Sequence, residues 1–137
     1  MANLRVNLDT AVYNVLNITA VTNEAIGGVF NSHAPQGTEP PYVIFQAMSK
    51  VDDYFAYTGR GGESIYMVKA IDRSPWPKEA GDIDTQIDSA MQNASLSITG
   101  YALIECRRES DIYLVEDLDG VIYQHVGGLY RIIADES

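Results

Sequence analysis

The residues of this chain that could do chemistry are few. Two histidines, His33 and His125, and one cysteine, Cys106, stand far apart in a sequence that carries 19 acidic residues. A zinc site needs four nitrogen or sulfur ligands at short, paired spacings, and neither the histidines nor the cysteine come in such pairs. Cys106 and His125 would make a nucleophile and base if the fold joined them. Each lies in an extended segment, however, where alternate positions more often divide between core and solvent. Glu109, Asp111, Glu116, Asp117 and Asp119 gather acidity near Gly120. A calcium loop also needs a glycine at its sixth position and a closing bidentate glutamate, and no register supplies both, so this reads as a solvated turn. Paired carboxylates for glycoside hydrolysis have no support beyond the scatter expected of so acidic a chain. Gly59-Arg60-Gly61-Gly62 has the glycine content of a phosphate cradle, but a strand follows it where a helix is required. No G-x-S-x-G motif occurs.

The aromatic cluster Tyr54-Phe55-Ala56-Tyr57, just before those glycines, is more unusual. It falls in the segment 52–63, too long and glycine-rich for a two-residue turn, which reads as a protruding loop or long hairpin arm. Aromatic side chains with few core obligations point to a surface that orders against a partner.

The elements that would position these residues follow from periodicity. Leu4, Leu8, Ala11, Val12, Val15 and Leu16 recur at three and four, predicting a helix over 3–16. The segment 19–25 is a connection or one further helical turn, and Val29-Phe30-Asn31 a short strand. A loop of turn formers then ends at Pro40-Pro41, which hands the chain in extended form to Tyr42. Residues 42–50 form a strand with apolar groups on both faces: Val43, Phe45 and Ala47 on one, Tyr42, Ile44 and Met48 on the other. Such a strand is covered on both sides or meets another subunit. Residues 64–72, including Tyr66, return from the arm. Ser74-Pro75-Trp76-Pro77 ends that strand. Ala80, Ile83, Ile87, Ala90, Met91 and Ala94 then mark the clearest amphipathic helix, which Gly81 weakens by about 1 kcal/mol relative to alanine. Residues 97–108 and 112–115 are strand, with Gly100 a place for a bulge; 117–120 is a turn; 121–133 is the last strand, with Gly127-Gly128 a bulge or close backbone approach. The order is α+β: an antiparallel sheet with two main helices on one face and a long protruding hairpin, in a single domain over 1–137.

Composition fits this. At 137 residues, 46% hydrophobic and 20% charged, the chain can bury a core without metal or disulfide, and one cysteine allows no internal disulfide. The formal net charge of −10 opposes a grip on nucleic acid, while suiting a conduit along which DNA slides. No apolar run is long enough to span a membrane, and the first residues lack a secretion signal, so a cytoplasmic site of synthesis is expected and the triplets Asn17-Ile18-Thr19 and Asn93-Ala94-Ser95 are accidental. Nine tyrosines suit either half-exposed strands or subunit interfaces.

In order along the chain, the first amphipathic helix, the short strand, Glu39-Pro40-Pro41-Tyr42-Val43-Ile44, the return strand Glu63 to Ala70 ending at Arg73-Ser74, the helix from Lys78, Asp119-Gly120 and the strand with Tyr130-Arg131-Ile132 resemble the siphophage tail terminator or tail completion proteins, which join tail to head. The resemblance implies a virion protein without catalytic residue, cofactor or metal. It implies a ring, a hexamer, that caps the tail tube. Its partners would be the major tail tube protein and a head completion or connector protein, with DNA passing through the lumen unbound. Tyr54, Phe55, Tyr57, Arg60, Tyr42 and Tyr66 are the candidate interface residues. A head-completion or other neck adaptor is the alternative within this class; a small α+β ligand-binding domain or enzyme is the alternative outside it.

Overall fold

The computed structural model describes residues 4–53, 61–92 and 96–136. Helix α1 spans Leu4–Leu16, a single turn α2 spans Thr19–Thr22, and α3 spans Lys78–Met91. The strands are β1 Val29–Asn31, β2 Tyr42–Asp53, β3 Gly61–Arg73, β4 Tyr101–Leu118 and β5 Val121–Glu136, forming one sheet in the order β1-β2-β3-β5-β4. The α+β class, the protruding hairpin over β2 and β3 and the two main helices agree with the sequence reading. Ala94, expected at the end of the second main helix, lies outside the described residues, and α3 ends at Met91.

The sheet is mixed rather than wholly antiparallel. Val29 pairs with Val43 and Asn31 with Phe45 in parallel, because the loop over residues 32–41 carries the chain back to the end where β1 began. Every other pairing is antiparallel. The helical stripes cover one face: Leu8, Val12 and Leu16 from α1 and Ala80, Ile83, Ile87 and Met91 from α3 pack over Val43, Phe45, Tyr66, Val68, Tyr130 and Ile132. Burying each large aliphatic there contributes about 1.5–3 kcal/mol.

β4 runs unbroken to Leu118, joining the two segments read as strand, and it absorbs two extra residues. Its register with β5 shifts between Leu103 and Glu105 and between Arg108 and Ser110, so Ile104 and Glu109 are bulged. The bulges therefore lie in β4, not at Gly100, which sits at φ +81° in the turn where Ile98 bridges Tyr101. A third shift, between Ala47 and Ser49, places a bulge at Met48. Gly127 and Gly128 are sites of close approach. A Cβ on Gly127 would lie 2.1 Å from the Val68 carbonyl oxygen, and one on Gly128 would lie 2.5 Å from Arg108 Nε.

The space left by Gly128 holds the guanidinium that ties the edge strand to α3. Arg108 donates to both oxygens of Asp84 at 2.9 Å, to the Gly127 carbonyl at 2.6 Å, to the Tyr130 hydroxyl at 3.1 Å and to Asp111 at 2.8 Å. Tyr130 donates in turn to Asp88 at 2.9 Å, and its ring lies 5.7 Å under the guanidinium carbon. Burial works against the Arg108 charge; the hydrogen bonds to Asp84 and Tyr130 overcome it and hold the cation firmly.

Candidate functional site

The six residues expected at an interface do not form one patch. Tyr54, Phe55, Tyr57 and Arg60 lie outside the described residues, in the sequence between β2 and β3. Tyr66 is fully buried beneath α1, where its hydroxyl donates to Asp9 Oδ1 at 2.5 Å. Burial and that carboxylate raise its pKa, so the phenol stays protonated. Tyr42 is half-buried on the opposite, helix-free face of the sheet, its ring edge-on to Phe30 at 6.3 Å. The structure thus separates Tyr42 from Tyr66 by the thickness of the sheet, because strand alternation sends residues of unlike register to opposite faces.

On the helix-free face, the loop over residues 32–41 and the ends of β3, β5 and β4 enclose a cavity of about 340 Å³, walled by Tyr42, Ile71, Arg73, Glu116, Tyr123 and His125. Arg73 donates to Glu39 at 3.1 Å, and His125 Nε2 lies 3.2 Å from Glu116 Oε1. Burial and the nearby Lys69 ammonium lower the His125 pKa against the pull of Glu116, so the imidazole is neutral at pH 7. Its Nδ1 is buried without a hydrogen-bond partner. Cys106 faces the other way, into the core, where its thiol donates to the Met91 carbonyl at 3.2 Å and burial pushes its pKa up to about 11. The fold therefore keeps the two residues that could have made a nucleophile and base on opposite faces. Among the described residues no cluster of three or more histidines, cysteines or carboxylates is arranged to hold a metal.

The feature the sequence reading missed is the outer half of the β4–β5 hairpin. Beyond the Glu109 bulge, Tyr113 is 61% exposed and Leu114, Val115, Leu118 and Val121 are 40–53% exposed. Tyr113 and Val115 are on one face, Leu114 and Leu118 on the other, by their pairing with Val126, Gln124, His125 and Val121. A tight turn closes the hairpin: Asp119 and Gly120 have φ +53° and +85°, and the Gly120 amide donates to Asp117 Oδ1 at 2.8 Å. The signal was present in Ile112-Tyr113-Leu114-Val115, which is apolar at four successive positions where a strand with one wet face alternates. Bulges and charges blunt the first part of this edge strand, at Ile104, Glu105, Arg107 and Glu109. Asp111 is the last such charge, and residues 112–115 have neither device before Glu116. These apolar side chains on both faces of a hairpin at the sheet edge are left exposed by the single subunit.

No curated protein matches the sequence. Among solved structures, a chain described as "Virion of native gene transfer agent (GTA) particle" is similar over 100% of both chains with a TM-score of 0.75 at 13% identity, a likeness of fold. The tail completion protein gp17 family matches residues 10–126, which take in the second half of α1, the loop before Tyr42, the cavity, Arg108 and the exposed outer part of the β4–β5 hairpin. This chain belongs to the tail completion protein gp17 family, structural proteins of the phage tail.

Proposed function

We propose that the protein closes the end of the tail tube as a hexameric ring and that this ring forms the surface joining tail to head. The observation that carries the reading is the β4–β5 hairpin, whose two apolar faces are left in water by the single subunit. A ring buries such surface through a heterologous contact that closes by rotation. Family membership supports the tail location, and the net charge of −10 suits a lumen through which DNA passes without binding. The tail tube protein is the partner on one side and a head completion or connector protein on the other. The partner surface is assigned to the arm residues Tyr54, Phe55, Tyr57 and Arg60, with Tyr42 near the loop; Tyr66, buried in the isolated subunit, supports it only from the core.

Three measurements test this. Light scattering and electron microscopy of the concentrated protein are expected to give a six-subunit ring, and a strictly monomeric protein would favour instead a ligand-binding domain using the His125-lined cavity. Particles assembled without the protein are expected to contain unjoined heads and tubes of uncontrolled length. Unjoined tubes of normal length would assign the chain to a neck adaptor and sink the capping role. Replacing Tyr54, Phe55 and Tyr57 with serine is expected to leave the fold intact and to lower the yield of joined particles; an unchanged yield removes the arm from the partner surface.

A further inference from the structure

A second unpartnered surface lies on the helix side, at the start of α3. Trp76 is 74% exposed and Ile26 is 73% exposed, the two highest values among the exposed large apolar side chains of the described residues. Each lines one of two concavities that share Lys78 and Asp82, an ion pair at 2.9 Å. On one side Ile26, Pro41 and Ile83 line a hollow of about 380 Å³ together with Glu24 and Glu79. On the other, Trp76, Pro77 and Gly81 form a shelf of about 570 Å³.

Gly81 is the independent clue. It is the fourth residue of α3, its amide bonded to the Pro77 carbonyl at 2.8 Å, a helical position where glycine is worse than alanine. A Cβ there would meet nothing within 4 Å, so the subunit itself gives no packing reason for the missing side chain. Glycine without an internal reason, on an apolar shelf beside an exposed tryptophan, fits a surface that another chain approaches closely. The charge around it is one-sided. Among the described residues Lys78 is the only cation lining either concavity, and it faces Glu24, Glu79 and Asp82.

We infer that these concavities form one docking surface for a segment of another protein that presents apolar side chains flanked by lysine or arginine. Charge disfavours this chain's own exposed hairpin as the occupant, since Glu116, Asp117 and Asp119 border that hairpin and would meet the groove as like charges. The surface is distinct from the hairpin and the inference does not require a ring.

Trp76 is the single tryptophan of the chain, so its fluorescence reports on this surface alone. A synthetic peptide of alternating leucine and lysine, titrated into the whole protein, is expected to shift the emission to the blue and protect it from acrylamide. The leucine–glutamate counterpart should do neither. Gly81→Leu should raise the half-saturating concentration of the lysine peptide by about tenfold, with circular dichroism confirming the helix, and Ile26→Ser should act in the same direction without touching α3. Equal responses to both peptides, or unchanged affinity in both variants, would overturn the inference. A blue shift on concentrating the protein with no peptide present would overturn it too, by assigning the surface to a second copy of this chain.

Discussion

Arg108 shows how much one residue can carry. Its side chain is 13% exposed and that of Asp84 15%, and their bidentate pair fastens an edge strand to a helix. Replacing Arg108 with methionine preserves bulk but leaves Asp84 a nearly buried, uncompensated carboxylate and the Gly127 carbonyl without its donor. The expected loss is about 3–5 kcal/mol, read as a lower urea midpoint; the double variant Arg108→Met with Asp84→Leu should recover much of it, because no charge is then stranded. His125 gives a second residue-scale prediction. Its folded pKa is lowered, so below its ordinary value of about 6.5 the unfolded chain binds more protons than the folded one, and stability falls as pH falls. The groups facing it are Lys69, which strengthens the effect, and Glu116, which opposes it. His125→Gln should therefore lose less thermal stability than the wild type between pH 7 and pH 5. Parallel curves for the two proteins would show that the imidazole does not titrate differently on folding.

At the scale of elements, what the sequence made legible was what a repeating pattern specifies. The α1 and α3 stripes predicted both helices and their buried faces, since a 3.6-residue period leaves one reading. The direction of β1 was not legible, because three residues carry no pattern that distinguishes parallel from antiparallel pairing. Nor was the face to which Tyr66 points: β2 and β3 are apolar on both sides, and only the placement of α1 decides which side is core. Gly127-Gly128 was read as a bulge or a close backbone approach, and the Val68 carbonyl 2.1 Å from the missing Cβ of Gly127 shows the second. The outer β4–β5 hairpin escaped because its acidic end looked like a solvated turn, which it is, while the four apolar residues before it looked like ordinary strand. Leu114 and Leu118 are half-exposed there, so replacing both with serine should change the unfolding free energy by no more than about 0.5 kcal/mol per site. The same variant should sediment as a monomer where the wild type associates. Association at wild-type strength would mean that the hairpin is not the contact surface.

The whole molecule sets two opposing forces on assembly. Each subunit leaves apolar surface in water at the hairpin, and each carries a net charge of −10, so bringing copies together gains from burial and loses from repulsion. The repulsion is long-ranged and screened by salt, with a Debye length falling from about 10 Å at 0.1 M to about 3 Å at 1 M. Burial of apolar groups is short-ranged and is not weakened by simple salt. The balance therefore moves one way: raising sodium chloride from low to near-molar concentration should strengthen self-association of the purified subunit, shifting the sedimentation profile toward the assembled species at constant protein concentration. An interface held mainly by ion pairs would respond in the opposite sense, dissociating as salt rises. Sedimentation velocity across a salt series, repeated with the Leu114→Ser, Leu118→Ser protein, separates these cases. Salt-driven assembly that disappears in the variant places the driving force on the hairpin, and assembly that weakens with salt in the wild type would refute the apolar contact altogether.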